Sequence, residues 1–301
     1  MKQGNSPLVK KMLCPGEKNH ILLEIMQLAN QPGNQSNPVG GGKAAARLYW
    51  VSTFLLAAAY LAALVSLVCR TDTDWAEGIL ISLAAAGTLV ALARQLPAQN
   101  VLLAALIMSV AGTGAHWSSA TNGIPFGSLL FGEEAGEKIF GTLPWWIPLL
   151  WVVAVLNSRG VARLILRPWR KVRAYGFWLI GLTALLTMLF DCALEPFATH
   201  TRHYWIWTTA GYSLLPQGAP ISNAFGWLAV TLLILAFATP VLINKLLSKR
   251  SVPDLHPLAV WLGGVSLFSL GAALQGLWLV VAFDLMLLTA AAVFAIRGAR
   301  W

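Results

Sequence analysis

The chain is predicted to fold as an all-α, polytopic membrane bundle of about eight spanning helices with both termini on the cytoplasmic side. Three observations lead there. Of its residues, 57% are hydrophobic and 11% charged, against about 25% charged in an ordinary soluble domain. Its apolar residues gather into eight runs near the roughly 20-residue length that a spanning helix needs. Its basic residues also switch sides from loop to loop, as cytoplasmic enrichment of Lys and Arg requires.

The predicted spans are Leu48–Cys69, Gly78–Ala93, Val101–Trp117, Leu143–Leu166, Ala174–Leu194, Asn223–Leu247, Pro257–Leu274 and Gly276–Ile296. The second is short, and only Ala273–Gly276 separates the last two. With the N-terminus inside, 18 of the 21 basic residues fall on the cytoplasmic side, and only Arg70, Lys138 and Arg202 fall outside. The outer loops instead collect Asp72, Asp74, Glu77, Glu133, Glu134 and Glu137. The net charge of +9 is therefore assigned to topology. A nucleic-acid partner for the basic run Arg159–Arg173 is not expected.

Two parts are predicted: a polar tail and linker over 1–47, then one transmembrane domain over 48–301. Within the tail, Ile21, Leu22, Ile25 and Leu28 share a face of a short helix that suits a membrane surface or a nascent helix. No cleavable leader is expected, because this segment is polar. Cys14, Cys69 and Cys192 lie in three different settings and give neither a disulfide framework nor metal-ligand spacing. No phosphate-binding glycine loop, zinc cluster or nucleophile elbow is present, so no cofactor or metal is expected.

Tryptophan is abundant, with 14 residues. Interfacial belts account for most of them. Trp145, Trp146, Trp205, Trp207 and Trp227, however, all fall on the predicted outer face, where they can line a hydrophobic mouth as well as anchor the protein. Two long outer loops on that face, 118–142 and 195–222, are punctuated by Gly and Pro and predict a turn-rich cap over a pocket.

Asp191 and Glu195 supply the chemistry. They are one turn apart, so they share a helix face, and Pro196 is expected to end that helix. Like charge, a negative helix end and partial burial all oppose double ionisation. A carboxylic acid that keeps its proton can serve as a general acid. The structural alternative pairs one carboxylate with Arg202 or with loop amides. His116 closes the third span on the same side, as a catalytic candidate or an interfacial polar group. Asp284 lies inside the last span, where ionisable residues are costly and mark function by default, or where a Ser, Thr or Gln neighbour bonds them. Pro125, Phe126 and Asn223 are further binding candidates, Asn223 alternatively as a helix N-cap.

A set of motifs carries a resemblance. Gly123-Ile-Pro-Phe-Gly127, Leu143-Pro-Trp-Trp-Ile-Pro-Leu-Leu-Trp151, Asp191-x-x-x-Glu-Pro196, Trp205-x-Trp207 and Gly218-x-Pro-Ile-Ser-Asn-x-Phe-Gly-Trp227 together resemble the carotenoid biosynthesis membrane proteins. These include carotenoid 1,2-hydratases and the bisanhydrobacterioruberin hydratases of haloarchaea. The likeness covers roughly residues 101–247, and the Gly-x-Pro-x-x-Asn-x-x-Gly-Trp element is its most specific part. Where the family pattern has an acid shortly before the Gly-x-Pro-Phe-Gly run, this chain has His116.

The resemblance implies water addition across the terminal double bond of an acyclic carotenoid end. Asp191, Glu195 and His116 would be catalytic, and Pro125, Phe126, Trp145, Trp146, Trp205, Trp207, Asn223 and Trp227 would bind substrate. Its partners would be a carotenoid or other polyisoprenoid lipid and the membrane lipids, and its place the plasma membrane. A non-catalytic polyisoprenoid binder or transporter and a carotenoid end-group cyclase remain as alternatives.

Overall fold

Long runs of Ala, Leu, Val and Ile leave the chain one way to satisfy its backbone in lipid, which is to wind helices. The structure, a computed structural model, describes residues 41–70, 74–208, 218–243 and 253–301. Among the described residues, eight helices are long and apolar enough to cross a membrane. They are α1 (Gly41–Cys69), α2 (Asp74–Ala93), α3 (Ala98–Asn122), α4 (Ile147–Ile165), α5 (Tyr175–Pro196), α6 (Ile221–Ala238), α7 (His256–Leu274) and α8 (Trp278–Ala299). The protein is thus a multi-pass membrane protein. The predicted surface helix of the tail lies outside the described residues, and the sixth span, expected to run from Asn223 to Leu247, is a helix that starts at Ile221 and already ends at Ala238.

Helix α4 is the hub and packs on α2, α3, α5, α7 and α8. Helices meet in lipid through close packing and small residues, because lipid tails are as apolar as leucine. Gly112 of α3 shows the consequence. A Cβ there would stand 2.1 Å from the Trp151 ring, so the indole of α4 seats where only glycine leaves room. Polar bonds add to this packing. Asn157 of α4 donates to Thr88 of α2 at 3.0 Å, and Tyr60 of α1 shares a 2.7 Å hydrogen bond with Ser266 of α7.

Two further boundaries differ from the sequence expectation, and one expected break is kept. The fourth span starts at Ile147, because Leu143–Pro144 forms a short strand, β3, paired with β2 (Lys138–Ile139). The break between α7 and α8 is a real turn, with Gly276 at φ 74°, a conformation that costs glycine little. Most important, α5 does not stop at Pro196. It runs through that residue into a π-helical turn, Phe197–Thr201, with the Arg202 N–H bonding the Phe197 carbonyl at 2.9 Å. Proline removes one helical donor, and here the chain widens its spiral instead of ending it. Asp191 and Glu195 therefore lie inside a continuous helix rather than in its last turn.

The two long loops are joined by a ribbon. Strand β1 (Leu129–Phe131), between α3 and α4, pairs antiparallel with β4 (Trp205–Trp207), after α5. Leu129 faces Trp207 and Phe131 faces Trp205. Side chains alternate along a strand, so Trp205 and Trp207 share one face while Ile206 turns outward and is 58% exposed.

Candidate active site

The ribbon, α5 and α6 meet at a buried pair of carboxylates. Asp191 and Glu195 are 1% and 7% exposed. Asn223, in the first turn of α6, donates from one amide nitrogen to both: 2.7 Å to Asp191 Oδ2 and 3.3 Å to Glu195 Oε1. An amide nitrogen carries two hydrogens, so Asn223 uses its full donor capacity to bridge the pair. Pro220, not Asn223, is the N-cap of α6, and no side chain caps it.

Glu195 is further held by the two indoles that the ribbon presents. Trp205 Nε1 donates at 3.2 and 3.4 Å to its two oxygens, and Trp207 Nε1 donates at 3.1 Å. The Glu195 backbone carbonyl accepts the Thr199 hydroxyl at 2.7 Å. Asp191 differs, since its Oδ1 is buried with no partner among the described residues. One carboxylate is fully dressed with donors, and the other keeps a bare oxygen. Arg202, the alternative partner weighed for this pair, is not there: it forms its ion pair with Glu77 of α2, which also accepts the Tyr204 hydroxyl.

His116 belongs to an adjacent aromatic cell. Its ring stands 4.7 Å from Phe126 and 5.8 Å from both Trp151 and Trp227, between ring centres. Trp151 Nε1 donates to His116 Nδ1 at 3.1 Å. An indole N–H can only donate, so this contact uses Nδ1 as an acceptor, whereas the Gly112 carbonyl, 3.3 Å from the same nitrogen, calls on it as a donor. Trp151 and Trp227 stack at 4.1 Å with 15° between planes. Trp227 is one turn after Asn223, and Phe131 of the cell touches Trp205 at 5.9 Å. The cell thus abuts the carboxylates, but the hydrogen bonds of His116 run to the cell and not to them.

Pro125 and Phe126 are pressed on α6 beside Asn223. Ser222 donates to the Phe126 carbonyl at 3.0 Å, and Ser119 accepts the Phe126 N–H at 2.9 Å. A Cβ at Gly226 would stand 2.6 Å from the Phe126 ring, so this contact needs glycine there. Trp146 bonds the Ala135 carbonyl at 2.9 Å and lies 6.3 Å from Trp205. Trp145 stands apart from the carboxylates, 40% exposed over Gly78 of α2. Asp284 is fully buried in α8, on another side of α5, and both its oxygens lack partners among the described residues. The expected Ser, Thr or Gln neighbour is not found there.

Two features escaped the sequence. Trp151 was visible only as the end of a motif and not as a site residue, and the Gly112 notch reveals its seat. The second is a cavity of about 820 Å³ between α1, α2, α5 and α7, bounded toward the ribbon by Trp146 and Tyr204. Paired glycines at 263–264 and small residues such as Ala57 and Ala259 are its only trace in the sequence.

No solved structure matches the chain. A bisanhydrobacterioruberin hydratase of Haloarcula japonica is 29% identical over 178 residues, which cover 55% of this chain and 56% of that protein. The chain therefore matches only about half the length of that relative. A family described as carotenoid biosynthesis protein matches residues 76–291, which take in nearly all of α2, α3 to α7 whole, the ribbon and the carboxylate pair. The chain belongs to the carotenoid biosynthesis protein family.

Proposed function

We propose that this protein hydrates the acyclic end of a carotenoid by acid catalysis at Asp191 and Glu195. The observation that carries this reading is the Asn223 bridge, which joins two buried carboxylates and leaves Asp191 Oδ1 bare. Asp191 is the proton donor. Its proton adds to the less substituted carbon of the terminal alkene, and the π electrons form the new C–H bond. The resulting tertiary cation sits among aromatic faces, whose quadrupoles favour positive charge. Water adds to the cationic carbon, and its surplus proton passes to a carboxylate of the pair. The net change is addition of one water. Glu195, fixed by two indoles and an amide, orients Asp191 and the water, which is pre-organisation before charge develops.

His116 shapes the aromatic cell, held by its contact with Trp151. Pro125, Phe126 and Trp227 form the wall beside Asn223. The family and the hydratase relative support carotenoid chemistry. Expression in a lycopene-producing host, with pigment analysis by mass, tests the reaction. A product heavier by one water is expected, and pigment left unchanged across several acyclic carotenoids rejects it.

The burial of both carboxylates favours a second reading. A cyclase makes the same protonation but excludes water, and its product would keep the substrate's mass. We also propose a plasma-membrane orientation with both termini cytoplasmic and the ribbon outside, on the partition of basic residues. In a background with the native cysteines replaced, Glu133→Cys and Lys171→Cys should label from opposite sides. Labelling from one side rejects that orientation.

A further inference from the structure

We propose that the cavity between α1, α2, α5 and α7 holds the hydrocarbon chain of the substrate, and that Trp205 and Trp146 form the partition its reactive end crosses to reach Asp191 and Glu195. This rests on the function proposed above and adds where the substrate lies. The cavity does not open on Asp191 or Glu195. It is lined instead by Phe190, Leu194 and Phe197 of α5, on the face next to the one that carries the two carboxylates. Trp146 belongs to its wall, and Trp205, next to Trp146, donates to both oxygens of Glu195. The chain site and the acid are therefore neighbours separated by indoles.

Charge identifies the occupant. Among the described residues, the lining holds two carboxylates, Glu77 and Glu134, one histidine, His256, and neither Lys nor Arg. Glu77 is already engaged by Arg202 and Tyr204. A phosphate or diphosphate head would meet like charge without a cation to hold it. An uncharged, linear polyisoprenoid meets walls that are apolar and aromatic over most of their extent. The volume falls within the roughly 300–1,000 Å³ typical of small-molecule sites.

Length adds a second constraint. The lining runs along α7 from His256 to Phe268, about 18 Å at 1.5 Å per residue. A hydrocarbon core is about 30 Å thick, so a bilayer-length polyene cannot lie wholly inside. Its tail must pass into lipid, and the place is beside α1. Within its most apolar stretch α1 is 22% buried, against 78% for α4.

The test fills the cavity from two helices that carry neither carboxylate of the pair, with Gly263→Trp on α7 and Ala57→Trp on α1. Purified protein is assayed with lycopene and with a shorter acyclic isoprenoid bearing the same end group, and co-purified pigment is measured by absorbance. Both variants should lose lycopene turnover and retained pigment by about tenfold or more, while keeping turnover of the short substrate. Wild-type levels of lycopene turnover and pigment in the two filled variants would overturn the proposal. So would equal loss of long and short substrates in variants that elute as the folded protein, since that places the block at the carboxylates. If the unmutated protein hydrates nothing, pigment retention still decides. Its loss in the filled variants upholds the cavity as the chain site while the hydration reading fails.

Discussion

Two faces of α5 differ by about 100° of rotation, the turn made by one residue. Phe190, Leu194 and Phe197 form the first, smooth and apolar, against the open cavity. Asp191 and Glu195 form the second, closed, with four donor contacts reaching Glu195 and one reaching Asp191. On the proposals above, a single helix separates a place for hydrocarbon from a place for proton chemistry. The contrast teaches that buried acid and greasy chain need not share a pocket when one helical register can carry both.

The largest effect should come from the polar face. Asp191→Asn keeps the shape and the contact with Asn223 but removes the acid. General acid catalysis contributes about 100- to 10,000-fold, so product should fall by that order in the lycopene host, with retained pigment unchanged. Full product from Asp191→Asn would remove Asp191 from the proposed role. Next, Asn223→Leu deletes the bridge. Hydrogen bonds to charged groups are worth about 1.5–3 kcal/mol, so turnover should drop roughly ten- to a hundredfold. Turnover equal to wild type would show that the pair needs no bridge.

A smaller change is expected from Trp207→Phe, which removes one indole donor and leaves Trp205 and Asn223 in place. One hydrogen bond contributes about 0.5–1.5 kcal/mol, and a few-fold loss of turnover with unaltered pigment retention would sharpen the division between faces. If retention falls instead, Trp207 belongs to chain binding. The least effect should follow Tyr60→Phe, which breaks the hydrogen bond between α1 and Ser266. Thermal unfolding should shift by no more than that one bond's worth, about 1 kcal/mol. A large shift would show that α1 is held far more tightly than its exposure implies.

Much of this molecule was legible before any coordinates. Eight spans follow from composition and run length because lipid leaves few options to a backbone. The pairing of Asp191 with Glu195 follows from helical periodicity, and the site's other parts were visible as residue types. Their arrangement was not. The β1–β4 ribbon joins residues more than seventy positions apart through strands of three residues, too short for alternation to register. Pro196 signalled a helix end, yet a π turn absorbs the missing donor. Arg202 lay near the acids in sequence but turns to Glu77, a residue over a hundred positions away. The cavity is a volume left between helices, and no single residue announces it.

The ribbon's pairing has a consequence for how this chain can vary. Side chains on a strand alternate, so a slip of one position exchanges inside for outside. In β4 that slip would aim Ile206 at Glu195 and swing both indoles away. Single-residue insertions or deletions inside 129–131 or 205–207 should therefore be far less tolerated than changes of length in the hairpin tip around Phe140, which is 86% exposed. Two distant stretches of the gene are thereby bound to a common reading frame of shape, and only paired changes in both can shift it.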